Sequence, residues 1–557
     1  MKIGELERKA ISEMKPYESS LVAQAECKMD QNESPYDVSP QLKEKILRRL
    51  RQAGFNRYPD LTYIKLRKII ARKFGLTAEN VAVGSGVDDL LYCISLAYLE
   101  NGDKVVYFTP TFGMYRICCS IMCANAVEVP LNGDFSIPAR FIKECRDAKL
   151  IFLCRPNNPT GNCVPLTQVE EIVRSCSGLV CIDEAYVDFA NDNCVSLLKY
   201  ENVVIFRTLS KAFCAAGVRI GYALAGKSAI AAINKVRLPW NLSIFSQIAA
   251  EELLQNDGFA KERVKEAKKE RERLMDALRL LCAKPVESQA NFILFQIPNP
   301  RGVFARLLSN GVLVRRFSSL QLSSFLRVSV GTRRENNEFL CSFIRSAVDT
   351  VLFDIDDTLA DVSKSYIEAI RLTAQKISGK RVPPGMIKQV KGMAGMNNDW
   401  DATVEVLRRL RIKSSRKKVV PIFQEIYFGK NGDGLIRKET PLLEPSLIGK
   451  IGKKVGIVTS RPRLEAKIAI KMLKLPKNTL LVAMEDAKKE KPDPAPLLLA
   501  KKMSGAAFPI YIGDSASDRL AAKRAGIPFI AIGKGKKQEG EFARFANVND
   551  AIRRLFL

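Results

Sequence analysis

The stretch VVIFRTLSKAFCAAGVRIG (203–221) opens with four consecutive apolar residues and then breaks into a loop of small and hydroxyl side chains around Lys211. An apolar run of that length and β-branched content reads as a buried strand. The same rhythm precedes it. KVVYF (104–108), LIFLC (150–154) and LVCID (179–183) are short apolar runs ending in Gly, Pro or Asp turns, with helical periodicity between them. Strands alternating with helices predict an α/β fold, a mostly parallel sheet covered by helices, from about residue 50 to 345. The basic stretch AKERVKEAKKERERLMDALRLL (260–281) reads as a long surface helix leading into a smaller domain, of which LRVSV (326–330) is a strand.

A second α/β unit begins abruptly at VDTVLFDIDDT (348–358), resumes at KKVGIVTS (453–460) and ends with AFPIYIGDS (507–515). A chain of 557 residues exceeds what one hydrophobic core organises, so a division is expected. The expected domains are 1–345 and 349–557. In the first, a large domain spans about 50–255, and a small one combines the N-terminal segment with about 256–345. In the second, a core of 349–360 and 449–557 is interrupted by a mostly helical insertion, 361–448. No Gly/Ser linker joins the halves, and there is no internal repeat.

Composition removes several function classes. The chain contains no histidine, which excludes an imidazole base, a histidine-based triad and the usual His-containing zinc sites. Chemistry must therefore run on lysine, carboxylates, arginine, tyrosine or a cofactor. Fourteen cysteines follow no zinc-like spacing, and those at 118–119 and 181 lie in apolar or strand-like surroundings, which suits buried thiols in a reducing, cytoplasmic setting. The net charge of +28 invites a nucleic-acid reading, but Lys and Arg are interspersed with acidic residues and no nucleic-acid motif is present. Runs such as SSRKK (414–418) and KGKKQEG (534–540) read as solvated surface; a positive field also suits phosphorylated substrates. Apolar runs fall short of the roughly 20 residues a membrane span needs, and MKIGELERKA lacks the apolar core of a signal peptide.

Lys211 is the first chemical candidate. Pyridoxal chemistry needs a lysine to link to the cofactor and move the α-proton, with hydroxyl and cationic groups such as Ser210 and Arg219 around a dianionic phosphate. Taken alone, the segment fits an ordinary strand–loop–helix join equally well. AVGSGVDDLLY (82–92) places a glycine-rich turn at a helix start, where backbone N–H groups can hold phosphate; an unliganded tight turn has the same sequence. Asp183, at the end of LVCID, can keep a pyridine nitrogen protonated or can merely cap a helix. Tyr186 and Asn158, the latter in the turn-rich RPNNPTG (155–161), can both bond a ring hydroxyl.

In the second unit, VLFDIDDTLAD sets Asp354 and Asp356 two residues apart. If the strand persists, both carboxylates point the same way. The first can attack phosphorus, and the second can protonate the leaving oxygen and later activate water. Mg²⁺ would relieve the repulsion between these carboxylates and a phosphate. Thr459 closes the GIVT strand (456–459) and can orient the phosphoryl group. Lys491 in EKPDP (490–494) can neutralise it, and Asp514 and Asp518 in GDSASD (513–518) complete a metal-ligand set with Asp354 and Asp356.

Eight segments in order resemble fold-type I aminotransferases, more narrowly the histidinol-phosphate aminotransferase family, over about residues 10–345. They are DQNESPY (30–36), NRYPD (56–60), GSGVDD (84–89), PTFGMY (110–115), PNNPTG (156–161), DEAY (183–186), RTLSKAF…AGVRIG (207–221) and LRVSVGT (326–332). The resemblance implies pyridoxal 5'-phosphate linked to Lys211, with Asp183, Tyr186 and Asn158 around the ring. It assigns phosphate contacts to Val87, Asp88, Ser210 and Arg219. Phe112 stands where the family has a tyrosine stacked on the ring. Tyr58 is implied to reach the cofactor of a second subunit, hence a homodimer. Arg327 resembles the family's substrate-anion arginine, and Arg315 the second cation used for a phosphorylated substrate. PYESS (16–20) departs from the family's PY-x-PG. Residues 349–557 resemble haloacid-dehalogenase superfamily phosphatases with an inserted helical cap, of the phosphoglycolate-phosphatase-like branch.

The combined expectation is transfer between glutamate/2-oxoglutarate and histidinol phosphate/imidazole-acetol phosphate, joined to a Mg²⁺-dependent phosphatase that removes the product's phosphate. Alternatives are an aromatic or broad-range aminotransferase, another small phosphate ester for the second half, or a catalytically idle second domain. Absence of histidine would suit an enzyme made when histidine is scarce; chance explains it as well.

Overall fold

The computed structural model describes residues 6–14, 25–391, 393 and 398–557. The chain forms two compact units, one of residues 1–278 and 284–339, the other of 279–283 and 340–557. The boundary at 339/340 runs through the helix Arg333–Ala347, and the join expected from sequence lies at that helix's end.

The first unit is built on a seven-stranded sheet. Its spatial order is Val81–Gly84, Gly221–Ala225, Val203–Thr208, Leu179–Asp183, Leu150–Cys154, Lys104–Thr109 and Asn125–Pro130. Gly221–Ala225 is antiparallel to both neighbours; the other pairings are parallel. Both faces are covered, which explains why the strands read as continuous apolar runs. Val180, Ile182, Val203 and Ile205 enter one core, whereas Cys181, Val204 and Phe206 enter the opposite one. Because parallel strands share a direction, the loops after Asp183 and Thr208 emerge on the same edge, where α/β ligand sites form. A four-stranded antiparallel sheet, ordered Arg315–Arg316, Phe325–Ser329, Phe292–Gln296 and Lys284–Pro285, forms the smaller part. Cys27–Lys28 pairs in parallel with Val312–Leu313, tying the early chain to that region.

In the second unit six parallel strands run in the order Leu480–Val482, Lys454–Val458, Thr350–Phe353, Pro509–Gly513, Phe529–Ile532 and Ala543–Phe545. Helices Tyr366–Ser378, Pro384–Lys391, Asp399–Arg409 and Arg416–Tyr427 fill the insertion between the first two strands in sequence. The chain enters and leaves this insertion through the antiparallel pair Ala360–Asp361 and Thr440–Pro441. Both units are mixed α/β. Among the described residues no disulfide is formed, and no helix is long and apolar enough to cross a membrane.

Candidate active sites

In the first unit a cavity of about 340 Å³ opens at the carboxyl edge of the parallel strands. Val87, Asp88, Phe112, Asn158, Asp183, Tyr186, Ser210, Lys211 and Arg219 all line it. Lys211 donates to the main-chain oxygen of Gln31 at 3.1 Å. Burial, with the nearby Arg327 cation, pulls its ammonium down to about 8, so a neutral amine is accessible near neutral pH. Asp183 is buried at the end of its strand. Its carboxylate accepts from the Tyr115 hydroxyl at 2.9 Å and the Ala185 N–H at 3.0 Å, and burial still pushes it up to about 6. A buried carboxyl held near neutrality gains most from a partner that brings a proton, as a pyridine nitrogen does.

Glycine shapes the helix-start end of the cavity. Gly86 precedes the helix Val87–Tyr98 at φ +86°, in the region that favours glycine. Gly221 on the adjacent strand lies so close that a Cβ there would sit 2.5 Å from the Gly86 carbonyl carbon. The helix start thus projects its first amides beside Ser210 and Arg219. Arg219 donates to Asp88 at 3.3 Å, and Thr208 donates to the Ser210 hydroxyl at 2.9 Å. A lysine, a buried acid and an anion cradle around one cavity fit pyridoxal phosphate.

Arg327, buried on the Phe325–Ser329 strand, donates to Asn158 Oδ1 at 2.5 Å and to the Asp30 main-chain oxygen at 2.7 Å. Since arginine cannot accept, it fixes the Asn158 oxygen toward itself and leaves the amide nitrogen as a donor at the cavity. The Tyr186 hydroxyl accepts from Asn32 Nδ2 at 3.1 Å. Phe112 meets Tyr115 edge-on, with centroids 5.8 Å apart. Three expected residues lie outside the cavity lining: Arg327, which reaches it only through Asn158, Arg315 on a neighbouring strand, and Tyr58, which is 78% exposed and stacked on Trp240 at 4.3 Å. PYESS (16–20) lies outside the described residues. Gln31, Glu33 and Thr208 line the cavity without having been singled out; Gln31 and Glu33 belong to the quoted DQNESPY, which was the available signal.

In the second unit Asp354, Asp514 and Asp518 each offer a carboxylate oxygen, and these lie within 4.8 Å of one another. Lys491 donates to Asp354 Oδ1 at 2.7 Å, to Asp518 Oδ1 at 2.6 Å and to the Tyr511 hydroxyl at 3.0 Å. One ammonium does not offset three close carboxylates, of which Asp354 and Asp518 are buried. Burial and mutual repulsion push Asp354 up to about 7 and Asp514 up to about 8, while Lys491 keeps Asp518 below the usual range. A divalent cation would supply the missing charge, so the donor set fits Mg²⁺. Thr459 is buried and accepts from the Arg461 N–H at 3.2 Å.

Asp356 departs from the expected arrangement. The strand stops at Phe353, and the chain turns so tightly that the amides of Leu359 and Ala360 both donate to Ile355 O, at 2.8 and 3.0 Å. The two carboxylates consequently have different partners. Asp356 is not in the three-aspartate group; Arg461 donates to its Oδ1 through Nε at 2.7 Å and Nη2 at 2.5 Å. The expectation that both carboxylates leave one face of a strand carried that strand on to Asp356, whereas it ends at Phe353. Arg461 was itself missed, although it stands two residues after Thr459, and so was Glu439, to which it donates at 2.9 Å.

Comparison with known proteins agrees with this geometry. The family described as aminotransferase class I and II matches residues 26–344, and haloacid dehalogenase-like hydrolase matches residues 351–532. A histidinol-phosphate aminotransferase of Ruminiclostridium cellulolyticum is 37% identical over 348 residues, 61% of this chain and 97% of that protein. One from Thermococcus kodakarensis is 41% identical over 314 residues, 56% of this chain and 90% of that protein. Among solved structures, a histidinol-phosphate aminotransferase from Clostridium acetobutylicum aligns with a TM-score of 0.53 at 25% identity, covering 57% of this chain and 97% of its own. The enzyme from Sinorhizobium meliloti in complex with pyridoxal-5'-phosphate has the same fold, with a TM-score of 0.54 at 24% identity, covering 57% and 90%. The chain belongs to the class I and II aminotransferase family and carries, after that fold-type I domain, a haloacid dehalogenase-like hydrolase domain.

Proposed function

We propose that the protein is a histidinol-phosphate:2-oxoglutarate aminotransferase fused to a Mg²⁺-dependent histidinol-phosphatase. The observation that carries the first half is the convergence of Lys211, Asp183 and the Gly86–Val87 helix start on one cavity, in a chain whose relatives are named for that substrate. Pyridoxal phosphate, when bound, supplies the electron sink for the bond broken at the substrate's α-carbon. Lys211 moves the α-proton, which makes the absence of histidine no obstacle. Asp183 holds the proton at the ring nitrogen, and Asn158 and Tyr186 orient the ring oxygen. Val87, Asp88, Ser210 and Arg219 anchor the phosphate, and Phe112 packs on the ring. Arg327 and Arg315 receive the substrate's anionic groups, and Tyr58 acts on the partner subunit's site in a homodimer.

In the second half, Asp354 attacks phosphorus and expels the alkoxide, to which Asp356 gives a proton; Asp356 then takes a proton from the water that hydrolyses the aspartyl phosphate. Lys491 and Thr459 stabilise the transferring group. Asp354, Asp514 and Asp518 would hold Mg²⁺, which supplies charge neutralisation. The substrate follows from chemistry: the amine made by the first half carries the phosphate ester that the second can cleave.

Inorganic phosphate release by the full-length protein, with Mg²⁺ and a panel containing histidinol phosphate, phosphoglycolate and other small esters, tests this reading against an Asp354→Asn blank. Preference for histidinol phosphate, lost in the blank, supports it. Strong preference for another ester rejects the coupling of the two halves.

A further inference from the structure

We propose that Arg461 is a positioning residue of the phosphatase half, which sets the acid–base carboxylate of Asp356 and couples it to the hinge of the helical insertion. This rests on the phosphatase reading above. Arg461 follows the Lys454–Val458 strand, and its side chain is fully buried. Two of its nitrogens converge on Oδ1 of Asp356, at 2.7 and 2.5 Å, which leaves Oδ2 as the oxygen for proton transfer. The Asp356 side chain is about a third exposed, so this buried cation holds a carboxylate that reaches solvent. A purely structural buried arginine would need only the buried Glu439 and neighbouring acceptors.

The remaining nitrogen, Nη1, donates to Glu439 at 2.9 Å. Glu439 immediately precedes Thr440–Pro441, one of the two strands through which the chain crosses between core and insertion. Its other oxygen accepts from the Tyr427 hydroxyl at 2.8 Å and the Ser365 hydroxyl at 2.9 Å, both within the insertion. Tyr366 lies beneath the guanidinium, 5.3 Å from its centroid to Arg461 Cζ. One planar fork therefore spans the reacting edge and the hinge. A rotation of the insertion that moves Glu439 acts on Arg461 and through it on Asp356, so that the acid is in place only when the insertion is seated.

Arg461→Gln and Arg461→Lys would be assayed with Mg²⁺ on two esters: an alkyl phosphate, whose leaving group needs a proton, and p-nitrophenyl phosphate, whose leaving group does not. General-acid contributions are about 10²–10⁴-fold. Arg461→Gln is expected to lower kcat/KM, which reports the steps up to loss of the leaving group, at least tenfold more on the alkyl ester than on the aryl ester. Arg461→Lys should recover part of that difference and serves if the glutamine variant folds poorly. Glu439→Gln should speed hydrogen exchange at 359–361 and 439–443, a readout independent of turnover. Equal losses on both esters, or no loss, would overturn the positioning role while the phosphatase reading stands. Absence of turnover of either ester by the unaltered protein would overturn both.

Discussion

Arg315 and Arg327 are direct partners across antiparallel strands, so their side chains leave the sheet on the same face. Arg327 is buried and pinned to Asn158 and Asp30, whereas Arg315 is only partly covered. Two guanidiniums on one face suit a phosphate dianion, with the pinned Arg327 also suited to a carboxylate. Losing one charge-assisted contact costs about 1.5–3 kcal/mol, so Arg315→Ala should raise KM for the phosphorylated amine by roughly 10–100-fold. The glutamate half-reaction should change much less, and Arg327→Ala should impair both. Half-reaction kinetics with the two donors, followed by cofactor absorbance, distinguish these outcomes.

Gly86→Ala should cost the protein its cofactor. The added Cβ would meet the Arg219 guanidinium at 2.5 Å, at a φ of +86° that L side chains rarely adopt. The anion cradle would open on both counts. Equilibrium dialysis should show pyridoxal phosphate affinity falling by at least about tenfold, or roughly 1.4 kcal/mol. Phosphate release by the second unit should be unaffected.

Cofactor loading should depend on pH through Lys211. Its ammonium titrates at about 8 in the cofactor-free protein, chiefly because it is buried and secondarily because Arg327 is near. The neutral amine is the nucleophile, so the uptake rate should rise through about pH 8 and level off above it. Stability follows the same sign. Between about 8 and the ordinary 10.5 the folded chain holds fewer protons here than the unfolded one, so this residue's destabilising contribution is full below 8 and fades toward 10.5. Melting curves of the cofactor-free protein across pH 7–10.5 should lose that component in Lys211→Met, which should also lower transamination by about 10²–10⁴-fold or more.

The two activities should be separable by single changes. Asp514→Asn removes one carboxylate from the three-aspartate group and should weaken Mg²⁺ binding in a calorimetric titration, with phosphate release falling about 10²-fold or more. Transamination should remain. Lys211→Ala should give the reverse pattern, and loss of both activities in either variant would contradict assignment of the sites to separate domains.

Much of this was legible because the motifs are local. Asp183 and Lys211 each lie at or just beyond the end of an apolar strand, and the Gly86–Val87 turn follows one directly, so strand pattern and loop composition located them without tertiary information. The same reasoning failed at Asp356. Period-two alternation was carried past Phe353, where the strand had already ended in a turn set by the Ile355 carbonyl.

The sequence by itself determined two α/β units, their order, and the chemical kinds of group at each strand end, since these follow from hydrophobic period and local turn chemistry. Only the tertiary structure decided the partnerships. Arg327 meets Asn158 across 169 residues, Lys491 enters between Asp354 and Asp518, and Arg461 reaches back 105 residues to Asp356. Each is a buried charge whose partner is fixed by which strands become neighbours, and burial makes an unpaired alternative too costly.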